Sequence, residues 1–185
     1  CYQVPGSLQG KFRKLTVIGD KLGGRTSLIL GESPGLLHEL REILDLNPKL
    51  LHVIRNPFDI ITTCTLRSFE KKGGSGKISS VDLLPFINGF YTRADAINRI
   101  KERREFSLLD IYHENFINDP IKELKLILHY LNMEANSTYY MNCASIVYPE
   151  PNKSRREVEW TQELIKFIEN KNKEYRFLEH YRFDN

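Results

Sequence analysis

Leu50-Leu51-His52-Val53-Ile54-Arg55-Asn56-Pro57-Phe58-Asp59 is the stretch that decides how this chain reads. Residues 50–54 form a short apolar run of strand formers interrupted only by His52, which predicts a buried strand. Asn56 is a good helix N-cap, and Pro57 suits the first helical position, where its missing N–H costs nothing. Asp59 adds negative charge to the first turn. The stretch therefore predicts strand, sharp turn and helix, with Arg55 at the point where the strand ends. In an open parallel sheet, ligands bind beyond the carboxyl ends of strands. Arg55 faces that region, and Thr63 follows it by about two helical turns. The plainer alternative is a surface arginine that pairs with Asp59.

Working upstream, residues 34–46 read as a helix with Leu36, Leu37, Leu40, Ile43 and Leu44 inward, ended by Asn47-Pro48. Residues 15–19 (Leu-Thr-Val-Ile-Gly) are a second strand candidate, running into Asp20-Lys21-Leu22-Gly23-Gly24-Arg25-Thr26-Ser27. A Gly-rich turn after a strand can form an anion-binding nest, although glycine pairs mostly mark ordinary turns. The spacing is not that of a Walker A loop. Strand and helix alternate from Leu15 to Arg67, which implies a parallel sheet with covering helices.

Downstream, residues 71–77 (Lys-Lys-Gly-Gly-Ser-Gly-Lys) predict a basic surface excursion or a lid over an anion. Residues 81–104 read as a helix with Leu84, Ile87, Phe90, Tyr91, Ala94, Ile97 and Ile100 inward and a solvated charged tail that includes Lys101. Residues 106–111 are a third strand candidate, delivering Tyr112-His113-Glu114 to the same edge as Arg55. Asp119 and Pro120 cap a further helix. Residues 136–148 are helical or loop, and Pro149-Glu150-Pro151 breaks them. Asn152-Lys153-Ser154-Arg155-Arg156 is the densest basic cluster carrying a hydroxyl, suited to a phosphate or simply a solvated face. Thr161 caps the last helix, with Leu164, Ile165, Phe167 and Ile168 inward, and Phe177, Leu178 and Tyr181 complete the core.

The chain has 185 residues, a one-domain length, so a single domain over 1–185 is expected. Hydrophobic residues make up 41% and charged residues 28%, which is ordinary globular composition, and the formal charge of +3 is too small to imply nucleic acid. Cys1, Cys64 and Cys143 are too few and too scattered for a disulfide framework or a metal site. No apolar run reaches transmembrane length and no signal peptide is visible, so no membrane partner is expected. The sequons at Asn136 and Asn152 matter only in a secretory protein, and the expected localisation is cytoplasmic, with the Golgi lumen the alternative if an N-terminal anchor precedes the chain.

Arg-Asn-Pro-x-Asp followed by a hydroxyl residue eight positions after the arginine (Arg55 and Thr63) resembles the 3′-phosphate-binding motif of the sulfotransferases. That family takes its sulfuryl group from 3′-phosphoadenosine-5′-phosphosulfate (PAPS). Thr63 stands where the family has serine. The stretch 112–120 is similar to a second landmark of the family, Tyr-Glu-Asp-Leu-x-x-Asp-Pro. Tyr112 matches the tyrosine beside the adenine, while His113 is inserted where the family commonly has glutamate. On its residues alone Tyr112 is more often a core-edge tyrosine than a base-stacking one. Lys153-Ser154-Arg155, followed by Val158-Glu159-Trp160-Thr161, resembles the C-terminal segment whose basic residues close over the 3′-phosphate. Lys21 resembles the lysine bordering the acceptor cleft, near the transferring group, and is otherwise a solvated loop lysine.

The resemblance implies a three-layer α/β/α domain with a central parallel sheet, the P-loop NTPase-like sulfotransferase fold. It implies Lys21 as the catalytic residue and Arg55, Thr63, Tyr112, Lys153, Ser154 and Arg155 as cofactor-binding residues, with PAPS as co-substrate and no metal. The acceptor would be a hydroxyl or amine of a small molecule or carbohydrate, and His38, Glu32 and His113 are the candidates for the base. Nothing in the chain matches the family's Gly-containing 5′-phosphosulfate loop, so an N-terminal strand and loop are expected upstream. A non-catalytic nucleotide binder and an RNA- or heparin-binding module are the other two readings. The second would need aromatics among its basic residues, and neither basic stretch has them.

Overall fold

The computed structural model describes residues 17–19, 21, 23–74 and 77–185. Its elements are α1 (Gly23–Glu32), α2 (Leu36–Leu44), β1 (Lys49–Ile54), α3 (Pro57–Lys71), α4 (Ser80–Arg103), β2 (Ser107–Tyr112), α5 (His113–Asn118), α6 (Pro120–Tyr130), α7 (Ser137–Ala144), a 3₁₀ turn at Ser154–Glu157, and α8 (Gln162–Asn172). The class is α/β, as expected, with helices predominating. Among the described residues the sheet has two strands, which run parallel in register from Lys49 opposite Ser107 to Ile54 opposite Tyr112. The expected strand at 15–19 is not seen in its described part, since Val17 to Gly19 have no regular structure, while Leu15 and Thr16 lie outside the described residues. The expected Gly-rich turn is also replaced, because α1 already begins at Gly23; Asp20 and Leu22 lie outside the described residues.

The connection from β1 to β2 runs through α3 and α4, which pack on each other. Asn56 caps α3 by accepting from Phe58 N, with Pro57 at the first position, and Asp119 caps α6 by accepting from Lys122 N. Ile54, Phe58 and Ile61 meet Leu83, Ile87, Tyr91 and Ala94 of α4, Ile168 of α8, and Tyr175, Phe177, Leu178 and Tyr181 of the C-terminal segment in one core. Phe58 is fully enclosed, with Trp160 and Phe183 edge-on to it at 5.1 and 5.2 Å. α1 approaches α4 so closely that a Cβ on Gly31 would lie 2.7 Å from that of Ala96; no larger residue fits there without displacing a helix.

Several inward positions differ from expectation. Among the described residues β1 is covered on one face: Ile54 is buried, whereas Leu51 is 42% and Val53 64% exposed. A strand of a doubly covered sheet would hide both. On α2 only Leu37 is buried, and Leu40, Ile43 and Leu44 are exposed. On α4 Leu83 takes the core position assigned to Leu84, and on α8 Phe167 is exposed while Ile168 is enclosed. Lys101 is not a solvated tail residue. Its Nζ binds both oxygens of Asp110 at 2.5 and 2.6 Å and lies 4.4 Å from the centre of the Phe177 ring. No described helix is long and apolar enough to cross a membrane.

Candidate functional site

Arg55 and Asn56 turn the chain from β1 into α3, and three segments distant in sequence converge on that turn. Asn56, 1% exposed, does more than cap. Its N–H donates to Glu114 Oε1 at 3.1 Å, and its side-chain amide donates to Arg182 O at 3.0 Å. Glu114 in turn accepts from the Tyr181 hydroxyl at 2.6 Å. Burial, and then this bond to Glu114, raise the Tyr181 pKa far above its ordinary value.

Asp59 is also enclosed, and its partner is Arg155. Arg155 N and Nε each donate to Oδ1 at 3.0 Å, and Nη2 donates to Oδ2 at 2.8 Å. Nη1 donates to Phe183 O at 2.9 Å and Arg182 O at 3.2 Å. This bidentate fork, the strongest form of arginine–carboxylate pairing, fastens the 3₁₀ turn to α3. Ser154 Oγ donates to Asp59 O at 3.0 Å and lies 2.9 Å from Thr63 Oγ1. A hydroxyl has one proton, so Ser154 spends its own on Asp59 and Thr63 is the donor between the two. The reading of this cluster as a solvated face is thus corrected: Ser154 is 2% and Arg155 3% exposed. Lys153 is half-buried just before the turn.

Arg55 lies above this network. Its Nη2 donates to Asn152 O and sits 4.0 Å from Asp59 Oδ2, its side chain is 22% exposed, and its Nε is buried without a partner among the described residues. The i,i+4 pairing with Asp59 read from the sequence is present, but it is secondary to Arg155.

Tyr112, the last residue of β2, meets His180 edge-on at 5.3 Å, and burial, then the charges of Asp110 and Glu179, raise its hydroxyl pKa. It lines a groove of about 1160 Å³ together with Lys101, Asp110, Phe177, His180 and Tyr181; Asn56 and Glu114 line the same groove and connect it to the Arg55 turn. Much of the polar lining is paired internally. Asp110 accepts from Lys101 and lies 2.9 Å from His52 Nδ1. Burial pushes the Asp110 carboxyl up, but the hydrogen bonds from His52 and Lys101 outweigh it and hold the group below its usual value.

The three base candidates separate by position. His38 pairs with Glu105 at 3.1 Å, beside the start of β2 and so at the amino end of the sheet. A six-residue strand separates it from the Arg55 edge by roughly 20 Å. Glu32 is exposed at the end of α1. His113 alone stands at the carboxyl edge. Burial, then the charge of Arg55, push its pKa below the usual histidine value, opposed by Glu114 and Asp59. Its Nδ1 is buried without a partner among the described residues. Lys21 is exposed, and none of the described contacts brings it to the Arg55 cluster.

The His113 shift carries a stability consequence. A histidine with a depressed folded pKa binds its proton more readily when unfolded, so stability is complete well above the unfolded value of about 6.5 and is lost as the pH falls below it. We expect His113→Gln to flatten that part of the acid limb in thermal unfolding followed from neutral pH downward. An unchanged limb would mean that the ring titrates as it does in water.

Short-range signals placed Arg55, Asn56, Thr63 and Tyr112. The roles of Asp59 and Glu114 as acceptors at the base of the site were missed, because their partners lie 96 and 67 residues away; the one signal was a carboxylate in a predicted buried turn, which needs a donor. Among the described residues no group of three or more His, Cys, Asp or Glu side chains is arranged to hold a metal ion. Comparison of the chain with protein-family models, curated proteins and solved structures returns no match.

Proposed function

We propose that this chain is a sulfotransferase domain of the three-layer α/β/α kind. It would bind the 3′-phosphate of PAPS at Arg55 and move the sulfuryl group to a hydroxyl or amine of a small-molecule or carbohydrate acceptor. The observation that carries the reading is the meeting of two motifs 91 residues apart: Thr63 and Ser154 are within hydrogen-bond distance, and Arg55 bonds Asn152 O of the same segment as Ser154. Both motifs resemble sulfotransferase phosphate-binding segments, and the resemblance of either would be idle if the fold kept them apart.

The residues present suit an oxyanion. Arg55 offers a guanidinium with a buried Nε that lacks an acceptor among the described residues, and the Thr63 hydroxyl, which donates to Ser154, can rotate to give its proton to a bound anion instead. Arg155 supports the site from beneath: its fork on Asp59 places Ser154 against α3, and its own donors are largely spent. Tyr112 lies on the strand next to the arginine and borders the groove, a position suited to a base or sugar ring. PAPS supplies an activated sulfuryl group, and its transfer, like phosphoryl transfer, is promoted by alignment and by stabilisation of charge on the peripheral and leaving oxygens.

The test is calorimetric titration with adenosine 3′,5′-bisphosphate and, in parallel, adenosine. The bisphosphate should bind and adenosine should not, because the phosphate contacts supply the affinity. Equal binding of the two, or none, overturns the reading. Binding without turnover of PAPS across hydroxyl and amine acceptors would leave a nucleotide binder that is not an enzyme.

A further inference from the structure

Arg55 and His113 leave the sheet side by side. Ile54 is paired with Tyr112, and each of the two residues is the next one along its strand. Arg55 Nε and His113 Nδ1 are also both buried and both without a hydrogen-bond partner among the described residues. Unpartnered buried polar atoms are rare in folded proteins and call for an explanation. Two of them on adjacent strand ends, one cationic and one able to become so, complement an anion.

The neighbouring carboxylates do not supply that anion. Asp59, on α3, gives both oxygens to Arg155. Glu114, beside His113 on α5, gives one oxygen to Asn56 N and the other to Tyr181. From α6, which packs on α5, the buried charged side chain is Glu123. From the β1–α3 turn the charge is Arg55 itself, and it opposes a second positive charge on the ring. In the unliganded protein, burial and Arg55 therefore favour neutral His113. A doubly charged oxyanion on Arg55 would reverse that local field and supply the missing acceptor.

We propose that His113 is a second holder of the anion bound at Arg55, taking up a proton as the oxyanion binds. The proposal rests on reading Arg55 as an anion site, and it adds a residue for which the resembled family has glutamate. The proton comes from solvent and goes to the imidazole, and no bond in the ligand changes. Since binding takes up a proton, affinity must rise as the pH falls through the window between the free and bound pKa values of the ring.

Inorganic sulfate is the appropriate ligand, because its charge stays constant where phosphate monoesters titrate. Calorimetry in two buffers of different ionisation enthalpy should show net proton uptake, and binding about three- to fivefold tighter near pH 6 than near pH 8. His113→Gln should abolish both the uptake and the pH dependence while retaining Arg55-dependent binding. Arg55-dependent binding by the unaltered protein with no proton uptake and a flat pH profile overturns the role of His113 alone. So does a pH profile unchanged in His113→Gln or, should that variant fold poorly, in His113→Asn. Absence of any Arg55-dependent binding of sulfate or adenosine 3′,5′-bisphosphate overturns both the site and the proposal.

Discussion

Arg155→Ala is expected to destabilise the protein by about 3–5 kcal/mol, the range for removing one partner of a buried ion pair. The carboxylate of Asp59 is 1% exposed and would lose both guanidinium donors at once, keeping the main-chain N–H of residue 155, with Arg55 at 4.0 Å as the remaining ion-pair partner. Phe183 O would lose its Arg155 donor as well, loosening the C-terminal segment that covers Phe58, while Arg182 O would keep the donor from Asn56. Set against a total stability of about 5–15 kcal/mol, the loss is large, and for a chain of this length it corresponds to a fall in melting temperature of roughly 6–20 °C. Replacing the pair together, Asp59→Leu with Arg155→Met, should recover most of it, since apolar residues of similar volume substitute for a buried ion pair at little cost. Chemical denaturation of the two variants beside the unaltered protein decides the matter. A loss below about 1 kcal/mol in Arg155→Ala is what a solvated surface arginine would give, and it would refute the enclosed fork.

The contrast between Arg155 and Arg55 shows what was legible in the sequence. Much that depends on neighbours along the chain was readable: the strand formers of 50–54, the Asn56-Pro57 cap, the Asp119-Pro120 cap, and the position of Arg55 and Tyr112 at strand ends; the helix beginning at the Gly23-Gly24 pair was not. These are set by backbone sterics and capping bonds spanning two or three residues. The state of Arg155 was not readable. A Lys-Ser-Arg-Arg run looks like a solvated face, and its burial depends on a carboxylate 96 positions earlier that also has a local partner, Arg55, to suggest. The apolar faces of α2 and β1 show the converse. Leu40, Ile43 and Leu44 recur at helical spacing, which predicts a buried stripe, yet periodicity specifies a face and not what covers it, and all three are exposed in the described structure. Lys101 followed the same rule: a charged last turn read as solvated until β2 placed Asp110 beside it. At the site, the hydroxyl and arginine of the first motif were legible by spacing, and their meeting with Ser154 was legible only through resemblance.

Arg55→Ala should lower the affinity for adenosine 3′,5′-bisphosphate by about 1.5–3 kcal/mol, roughly ten- to 150-fold, the range for hydrogen bonds to a charged group. Its effect on the empty protein should be small. Arg55 is partly exposed, Asp59 keeps the Arg155 fork, and the one bond lost is to Asn152 O, a carbonyl that water can reach in its place. That separation is the useful feature: Arg155→Ala should change stability, and Arg55→Ala binding. Arg55→Lys should fall between, since an ammonium keeps the charge but not the planar, paired donors that match an oxyanion. Thr63→Val should weaken the nucleotide less than Arg55→Ala, because it removes a neutral donor whose partner, Ser154, retains its bond to Asp59 O. The ordering Arg55→Ala, then Arg55→Lys, then Thr63→Val, read by calorimetry on variants of matched thermal stability, is therefore a stronger constraint than any single value. If Arg55→Ala binds the bisphosphate as the unaltered protein does, the carboxyl edge of β1 is not the phosphate site, and the unpartnered Nε has to be explained by water.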